Sequence, residues 1–311
     1  MYVKIAATKF VLEWITENLA SLYGVEDVVY TGKTKYQKVD IIKTSEFGLA
    51  LLLDGLLQSA EVDEFVYHES LVHPAMIAHP NPKRVLIVGG GEGATAREVE
   101  RYKSVEEVQM VDLDGELIEI VKKYLPWSQE GFKDPRLKLV IAEGRSYLSS
   151  QPDGYYDVII MDATDPAEDS LAIQLYTKEF YELAYRKLSE NGLIVTHSAP
   201  LLMKTRLVLS VLETMKSVFP KTGLYAVYIK SLEAMWSFVV GSKGPLPSEL
   251  SGEEVDRRLR ERGVKGLKFY SGALHEAVHR LTDIYLGVFR EKGEVFTDSK
   301  FAKTLREAAE E

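Results

Sequence analysis

The stretch from Arg84 to Glu98 constrains the fold most, because it joins an apolar run, a glycine cluster and a helix start. Its sequence is RVLIVGGGEGATARE. Four apolar residues, mostly β-branched, predict a buried parallel strand, and the helix formers after the glycines predict a helix. Glycines let the backbone approach a ligand closely, and a helix N-terminus offers unpaired N–H groups. The stretch therefore predicts a ligand-binding turn between a strand and a helix.

Glu92 lies inside this glycine turn. Helix N-termini usually receive anions, but a carboxylate in the turn would repel a bound phosphate or carboxylate and would suit an amine. An acid at a helix start also simply complements the helix dipole. The turn alone leaves both interpretations of Glu92 open.

Strand and helix patterns alternate after the turn. This alternation predicts an α/β protein with a doubly wound sheet, whose ligands bind at the carboxyl ends of the strands. Residues 225–229 and 238–241 are expected to pair as a last, antiparallel hairpin. The other expected elements are strands at 85–88, 108–112, 137–141, 157–162 and 193–196, a helix at 116–121, and a helix at 177–188 that ends at Asn191-Gly192.

Residues 1–65 have a predominantly β pattern. A short helix is expected near residues 10–15, followed by strands at 27–31, 37–42 and 49–54. We therefore expect two domains, a small N-terminal β domain at 1–65 and a larger domain at 66–311 with a helical tail. So small a sheet must pack on the main domain or on another subunit. We also expect a homo-oligomer, either a dimer or a tetramer.

Composition excludes several classes of protein. The chain has 311 residues, a net charge of -9 and no cysteine, so disulfides, thiolate metal sites and thiol catalysis are excluded. The acidic balance argues against nucleic-acid binding and is compatible with cationic small substrates. The first residues lack the apolar core of a signal peptide, and no apolar run reaches membrane-spanning length. We expect a cytoplasmic protein with no nucleic-acid or membrane partner.

Acidic residues stand where successive strands should end, at Glu92, Asp112, Glu143 and Asp162, with Asp165 just beyond. One such acid is commonplace, because Asp often caps the following helix. Four in successive turns would cluster at one edge of the sheet. Asp112 lies about 20 residues after the glycines, where an acid binds ribose hydroxyls in both NAD enzymes and methyltransferases. The Asp162/Asp165 pair could bind or deprotonate a cation.

Seven stretches, two of which contain the acids described above, bear on function. They are Tyr36-Gln37, Leu53-Asp54-Gly55 with Gln58, residues 63–69 (DEFVYHE), residues 89–93 (GGGEG), Asp162 to Pro166, residues 174–178 (QLYTK) and residues 269–272 (FYSG). Together they resemble the polyamine aminopropyltransferases, the spermidine synthase family, and more closely its thermospermine synthase branch. The resemblance covers most of the chain, and its specificity comes from the combination of stretches.

This resemblance implies a methyltransferase-like Rossmann domain, a small N-terminal β domain and a site between them. It implies decarboxylated S-adenosylmethionine as a co-substrate, a polyamine acceptor, methylthioadenosine as by-product, and no separate cofactor or metal. Asp162 is then the candidate base, and Tyr67 positions the acceptor amine. The donor side comprises Gln37, Gly89, Gly91, Glu92, Asp112, Glu143 and Gly144, and the acceptor side comprises Gln58, His68, Asp165, Gln174 and Trp236. Asp169 stands where spermidine synthases commonly have a proline near the adenine.

The acceptor is predicted from the stretch before the last strand. Spermidine synthases usually have a proline- and glycine-containing loop there, whereas residues 230–236 (KSLEAMW) contain neither residue and resemble the thermospermine synthase version. Glu168, Asp169 and Glu233 could meet further ammonium groups. We expect transfer to spermidine, giving thermospermine, with putrescine as the alternative acceptor.

Other functions remain as alternatives. His275-Glu276-Ala277-Val278-His279 matches the zinc-protease helix motif but lacks an obvious third ligand. An S-adenosylmethionine-dependent methyltransferase fits the fold and Asp112, although Glu92 and the Asp162/Asp165 pair argue against it. An NAD oxidoreductase and a non-catalytic polyamine-binding protein are the remaining alternatives.

Overall fold

The N-terminal part of the chain forms an antiparallel sheet in the computed structural model, which describes residues 9–16, 18–165 and 171–301. Its five strands hydrogen-bond in chain order, so that every connection is a hairpin. Glu168 and Asp169 lie outside the described residues, as do the first residues of the chain. The strands are β1 (Lys9–Thr16), β2 (Leu19–Lys33), β3 (Lys38–Thr44), β4 (Gly48–Leu53) and β5 (Leu56–Ala60).

The helix expected near residues 10–15 is wrong, because this segment is the edge strand β1. Its partner β2 supplies the backbone hydrogen bonds, with Leu12 opposite Leu22. Along β1 the side chains alternate, so that Phe10, Leu12 and Trp14 face solvent while Glu13 is buried. A short apolar run does not distinguish helix from strand by itself, and here the tertiary partner decides.

The rest of the chain contains a seven-stranded sheet, which confirms the predicted doubly wound α/β fold. Its order is β11-β12-β10-β9-β6-β7-β8; the strands from β10 to β8 are parallel, and the final hairpin is antiparallel as predicted. The chain order reverses between β6 and β9, which is where open α/β sheets bind ligands. The strands are β6 (Arg84–Gly89), β7 (Glu107–Asp112), β8 (Leu137–Ile141), β9 (Tyr156–Asp162), β10 (Leu188–Pro200), β11 (Lys221–Ile229) and β12 (Ala234–Ser242).

Helices cover both faces of this sheet. They are α1 (Glu64–Ala78), α2 (Ala94–Glu100), α3 (Gly115–Tyr124), α4 (Gly144–Ser150), α5 (Lys178–Lys187), α6 (Thr205–Lys216), α7 (Gly252–Glu261) and α8 (Gly272–Val288), with 3-10 turns at Glu130–Phe132, Leu171–Leu175 and Pro247–Glu249. The predicted helix end at Asn191-Gly192 is wrong. Both residues lie within β10, which begins directly after α5 and is irregular between Leu188 and Leu193.

The central strands are apolar on both faces, as helices on both sides require. Ile87 and Ile160 pack toward α1, whereas Leu86 and Ile159 pack in the cluster that contains α5. Burying each such side chain contributes about 1.5–3 kcal/mol. This packing holds the carboxyl ends of β6, β7 and β9 at one edge. Among the helices of the described residues, none is both long and apolar enough to cross a membrane.

Candidate active site

The glycine turn presses directly against the end of β9. Gly89 has a φ of 83°, and a Cβ there would lie 2.2 Å from the carbonyl oxygen of Asp162. The amide of Gly90 donates to that same oxygen at 2.8 Å. Only glycine combines this backbone conformation with this closeness, so the turn is locked to the strand that carries Asp162.

The side chain of Glu92 bridges the two sheets. Its Oε1 accepts a hydrogen bond from Ser59 Oγ of β5 at 2.7 Å and another from the indole N–H of Trp127. Burial raises the pKa of Glu92, and the charge of His68 and the two hydrogen bonds oppose that rise. Glu92 is therefore a desolvated carboxylate with two side-chain hydrogen bonds, and it is more than a solvated charge that complements the helix dipole.

The ring of His68, predicted on the acceptor side, is buried beside Glu64. Its Nδ1 lies 2.7 Å from the Glu64 carbonyl oxygen and 3.0 Å from Glu64 Oε2, and only 2% of the residue is exposed. Burial lowers the pKa of His68, but the hydrogen bond to Glu64 and the charge of Glu92 outweigh this and raise it to about 9. The imidazole is therefore a cation at neutral pH.

The predicted donor residues surround the ends of β7 and β8. Asp112 Oδ2 accepts from the amide of Gly91 at 2.9 Å, and its Oδ1 accepts from the amide of Asp114 at 2.8 Å. Burial raises the pKa of Asp112. Gln37 Nε2 donates to Asp114 Oδ2 at 2.9 Å, which ties the N-terminal sheet to this turn. These residues thus share one hydrogen-bonded cluster.

Glu143 is engaged as a helix cap. Its carboxylate accepts from the amides of Arg145 and Ser146, at 2.8 Å and 2.7 Å, at the start of α4. Gly144 leaves no room for a side chain, because a Cβ would lie 2.5 Å from Val88 Cγ1. Glu143 therefore has the capping role that is common for an acid at the end of a strand.

Asp162 and Tyr67 are in direct contact. Asp162 Oδ1 accepts from the Tyr67 hydroxyl at 2.9 Å, and its Oδ2 accepts from Thr95 Oγ1 at 2.6 Å. Burial and the charge of Asp162 raise the pKa of Tyr67 well above its usual range, so the phenol stays protonated and donates. The arrangement can hold an amine and take a proton from it.

Asp165 lies beside the ring of His197. Its Oδ1 is 3.5 Å from His197 Nδ1, while His197 Nε2 contacts the Ala163 carbonyl oxygen. Burial raises the pKa of Asp165, and the charges of His197 and Lys204 oppose that rise. Trp236 stacks on His197 with ring centroids 6.2 Å apart, and its buried indole N–H has no hydrogen-bond partner among the described residues.

The structure disperses the other predicted acceptor residues. Gln58 Nε2 donates to the Leu56 carbonyl oxygen at 3.1 Å, and Gln58 lines a narrow cleft together with Tyr67 and Asp63. Gln174 lies in the 3-10 turn Leu171–Leu175, where its carbonyl oxygen accepts from Arg145 at 3.3 Å. Gln58 thus borders the same cleft as Tyr67, whereas Gln174 contacts Arg145 through its backbone carbonyl oxygen.

Several residues of the site were missed by the sequence analysis. Ser59, Thr95, Trp127 and His197 each contact a predicted site residue. Thr95 lies within the glycine stretch and could have been found by its position. Ser59 and Trp127 belong to segments distant from Glu92 in the chain, and no local pattern indicates their contact.

The two histidines of the zinc-protease motif lie on α8, outside this cluster. His275 Nδ1 contacts the Tyr270 hydroxyl at 2.8 Å, and its Nε2 contacts the Pro247 carbonyl oxygen at 2.9 Å. Burial, with the neighbouring His275, lowers the pKa of His279 to about 3. Nowhere in the described residues do three His, Asp or Glu side chains lie close enough to hold a metal ion.

Known proteins are similar to this chain in sequence and in fold. The family profile "Spermine/spermidine synthase domain" matches residues 64–249, and "Spermidine synthase tetramerisation domain" matches residues 12–61. Polyamine aminopropyltransferase 1 of Hyperthermus butylicus is 45% identical over 86% of this chain and 92% of that relative. A polyamine aminopropyltransferase of Pyrobaculum neutrophilum is 42% identical over 85% and 91%.

Solved structures agree. Spermidine synthase from Thermotoga maritima superposes with a TM-score of 0.81 and 34% identity, covering 90% of this chain and 95% of the other. A spermidine synthase in complex with the transition-state analogue AdoDATO gives a TM-score of 0.83 and 33% identity, covering 93% and 98%. The chain therefore belongs to the spermine/spermidine synthase family, the polyamine aminopropyltransferases.

Proposed function

We propose that this enzyme transfers the aminopropyl group of decarboxylated S-adenosylmethionine to spermidine, giving thermospermine and methylthioadenosine. One observation carries the proposal: carboxylates extend from the glycine turn across the junction of the two sheets. Glu92 and Asp162 both lie near His68, Asp162 and Asp165 both lie near Tyr67, and Asp165 and Glu233 both lie near Glu13. Such a row suits a polycation, since each ammonium can meet an acid.

The donor is selected by charge. Decarboxylation leaves the donor with a terminal amine and no carboxylate, so Glu92 attracts this donor and repels ordinary S-adenosylmethionine. On this proposal Asp112 holds the ribose hydroxyls, because each of its oxygens keeps a lone pair beyond the backbone bond it accepts. Gln37, Glu143 and Gly144 complete the site for the methylthioadenosine part, and Gly89 and Gly91 allow its close approach.

The reaction needs no covalent enzyme intermediate. The acceptor nitrogen attacks the methylene carbon next to the sulfonium, the new C–N bond forms as the C–S bond breaks, and sulfur leaves with the electron pair as methylthioadenosine. An amine with a lysine-like pKa of about 10 must lose a proton first. Asp162 takes this proton while Tyr67 and Thr95 hold its carboxylate in place. Aligning nitrogen, carbon and sulfur supplies much of the remaining rate.

The far end of the acceptor site supports a triamine over a diamine. Glu233 follows β11 at the tip of the last hairpin, and Ser21 Oγ of β2 donates to its Oε2 at 2.6 Å. Glu13 is buried nearby, and its pKa is raised by burial and further by the charges of Glu233 and Asp165. Two acids beyond Asp165 therefore give a second ammonium a partner. Gln58, His68, Gln174 and Trp236 complete the proposed acceptor side.

We also propose a homo-oligomer that forms through the N-terminal sheet. Phe10, Leu12, Trp14 and Leu22 form an exposed apolar face on the edge hairpin of β1 and β2, and Trp14 is 61% exposed. An apolar patch of this kind marks an association surface. Support comes from the tetramerisation-domain profile, which matches this same sheet.

A product assay tests the function. Purified protein is given decarboxylated S-adenosylmethionine with putrescine and spermidine in competition, and products are separated by chromatography. We expect methylthioadenosine release, a preference for spermidine, and thermospermine resolved from spermine. A preference for putrescine would make the protein a spermidine synthase, and methylated product from ordinary S-adenosylmethionine would make it a methyltransferase. Binding of polyamine without methylthioadenosine release would show a non-catalytic protein.

A further inference from the structure

A largely buried guanidinium lies between α1 and α2, the helix that follows the glycine turn. Arg97 of α2 donates to both carboxylate oxygens of Glu64 on α1, at 3.2 Å and 2.8 Å, and its Nε donates to Glu98 at 2.8 Å. Only 11% of the Arg97 side chain is exposed. The planar fork of arginine suits such a paired contact, and a buried charge requires it.

Glu64 connects Arg97 to His68. Because Glu64 offers only oxygens to His68 Nδ1, that nitrogen carries a proton, and the ring is held in one orientation. The carboxylates of Glu64, Glu92 and Asp162 all act on this ring. These contacts hold the ring in place and raise its pKa to about 9, so His68 is a cation within the electrostatic reach of Glu92.

A second connection runs from Arg97 to Glu92 through Trp127. Arg97 Nη1 donates to the Trp127 carbonyl oxygen at 3.1 Å, and the Trp127 indole N–H donates to Glu92 Oε1. One guanidinium therefore holds both the cation that acts on Glu92 and the indole that orients it.

We propose that Arg97 is a positioning residue for the subsite that receives the donor's terminal amine, acting on Glu92 through Glu64–His68 and through Trp127. The inference rests on the proposed function of Glu92 as the donor-amine acid. A buried carboxylate without a counter-charge takes up a proton and no longer attracts an ammonium group. His68 then serves as the counter-charge of Glu92, in addition to its place on the proposed acceptor side.

Glu64→Gln tests the first connection, because it keeps the shape and removes the charge that holds His68 protonated. Calorimetry compares the binding of decarboxylated S-adenosylmethionine with that of methylthioadenosine, which lacks the amine. One pKa unit corresponds to about a tenfold change in an equilibrium constant. Losing that much interaction between Glu92 and the donor's amine would therefore weaken donor binding about tenfold at pH about 7. We expect that loss, with methylthioadenosine affinity unchanged, and a smaller deficit at higher pH, where Glu92 ionises without help. Glu119→Gln, on an exposed part of α3, is the matched control.

Arg97→Lys tests the second connection and serves where Glu64→Gln does not fold. Lysine keeps a charge beside Glu64 but cannot form the fork and also reach Trp127. We expect weaker donor binding than in the wild type, with methylthioadenosine binding again unchanged. Equal losses for both ligands would assign Arg97 a purely structural role, and unchanged donor binding in these variants would refute the proposal. Both readouts are binding, so a wild type that binds the donor without turnover would refute only the proposed function.

Discussion

Asp162→Asn is the sharpest test of the proton-transfer step. The wild-type carboxylate accepts from the Tyr67 hydroxyl at 2.9 Å and from the Thr95 hydroxyl at 2.6 Å. Asparagine can keep both contacts, because its oxygen accepts from one hydroxyl and its NH₂ group donates to the other. The substitution therefore removes the proton acceptor and one negative charge while leaving the packing nearly intact.

The expected loss follows from the role assigned to the carboxylate. General-base help is worth about 10²–10⁴-fold, so kcat should fall by that factor. This corresponds to about 2.7–5.5 kcal/mol of activation free energy. Without the base, the reaction depends on acceptor that is already deprotonated, and that fraction rises about tenfold per pH unit below a pKa of about 10. The variant's rate should therefore rise more steeply with pH than the wild-type rate.

The assay follows methylthioadenosine release at saturating donor and spermidine, at several pH values from about 7 to about 8.5, below the pKa of free amines. Methylthioadenosine affinity is measured separately and should be unchanged. Asp153→Asn, which removes an exposed carboxylate paired with Lys187, is the matched control. If Asp162→Asn keeps a kcat near that of the wild type, or shows no steeper pH dependence, Asp162 is a turn residue and the base lies elsewhere.

Three further outcomes are expected. Glu233→Gln should lower kcat/KM for spermidine about tenfold, the effect of losing about 1.4 kcal/mol, and change that for putrescine little; equal losses would contradict the far-end site. Glu98→Gln should lower the free energy of unfolding, measured in urea at neutral pH, by about 3–5 kcal/mol, because Glu98 is fully buried and is paired with Arg97 and Arg101. Despite burial, His73 and Arg101 hold the pKa of Glu98 well below its usual range, so its contribution to stability is present above about pH 4.3 and declines below it. The difference in stability between variant and wild type should shrink at those lower pH values. Leu12→Lys should reduce the oligomer measured by light scattering, and an unchanged mass would place the interface elsewhere.

The parallel core could be predicted because its information is local. Apolar runs such as residues 85–88, glycines at the turn and helix formers after it each follow from short stretches of chain. Parallel strands must also end at one edge, so the clustering of Glu92, Asp112 and Asp162 follows from the order of elements alone. The contact between Asp162 and the glycine turn is a consequence of that order.

The edge strand and the helix end could not be predicted in the same way. Residues 10–15 contain too few residues for their periodicity to exclude a helix, and only pairing with β2 makes them a strand. Asn191-Gly192 has the composition of a helix end, yet these residues lie inside β10, where the strand is irregular. In both segments tertiary pairing overrides a local preference.

The sequence by itself determined the fold class, the edge of the sheet that carries the strand-end acids, and the family resemblance, since these depend on periodicity, turn chemistry and the residues at strand ends. Only the tertiary structure decided the state and surroundings of the acids. It brings Ser59 and Trp127 to Glu92, commits His68 to Glu64, and makes Glu143 a helix cap. Charge and orientation depend on burial and on partners distant in the chain, which no local pattern contains.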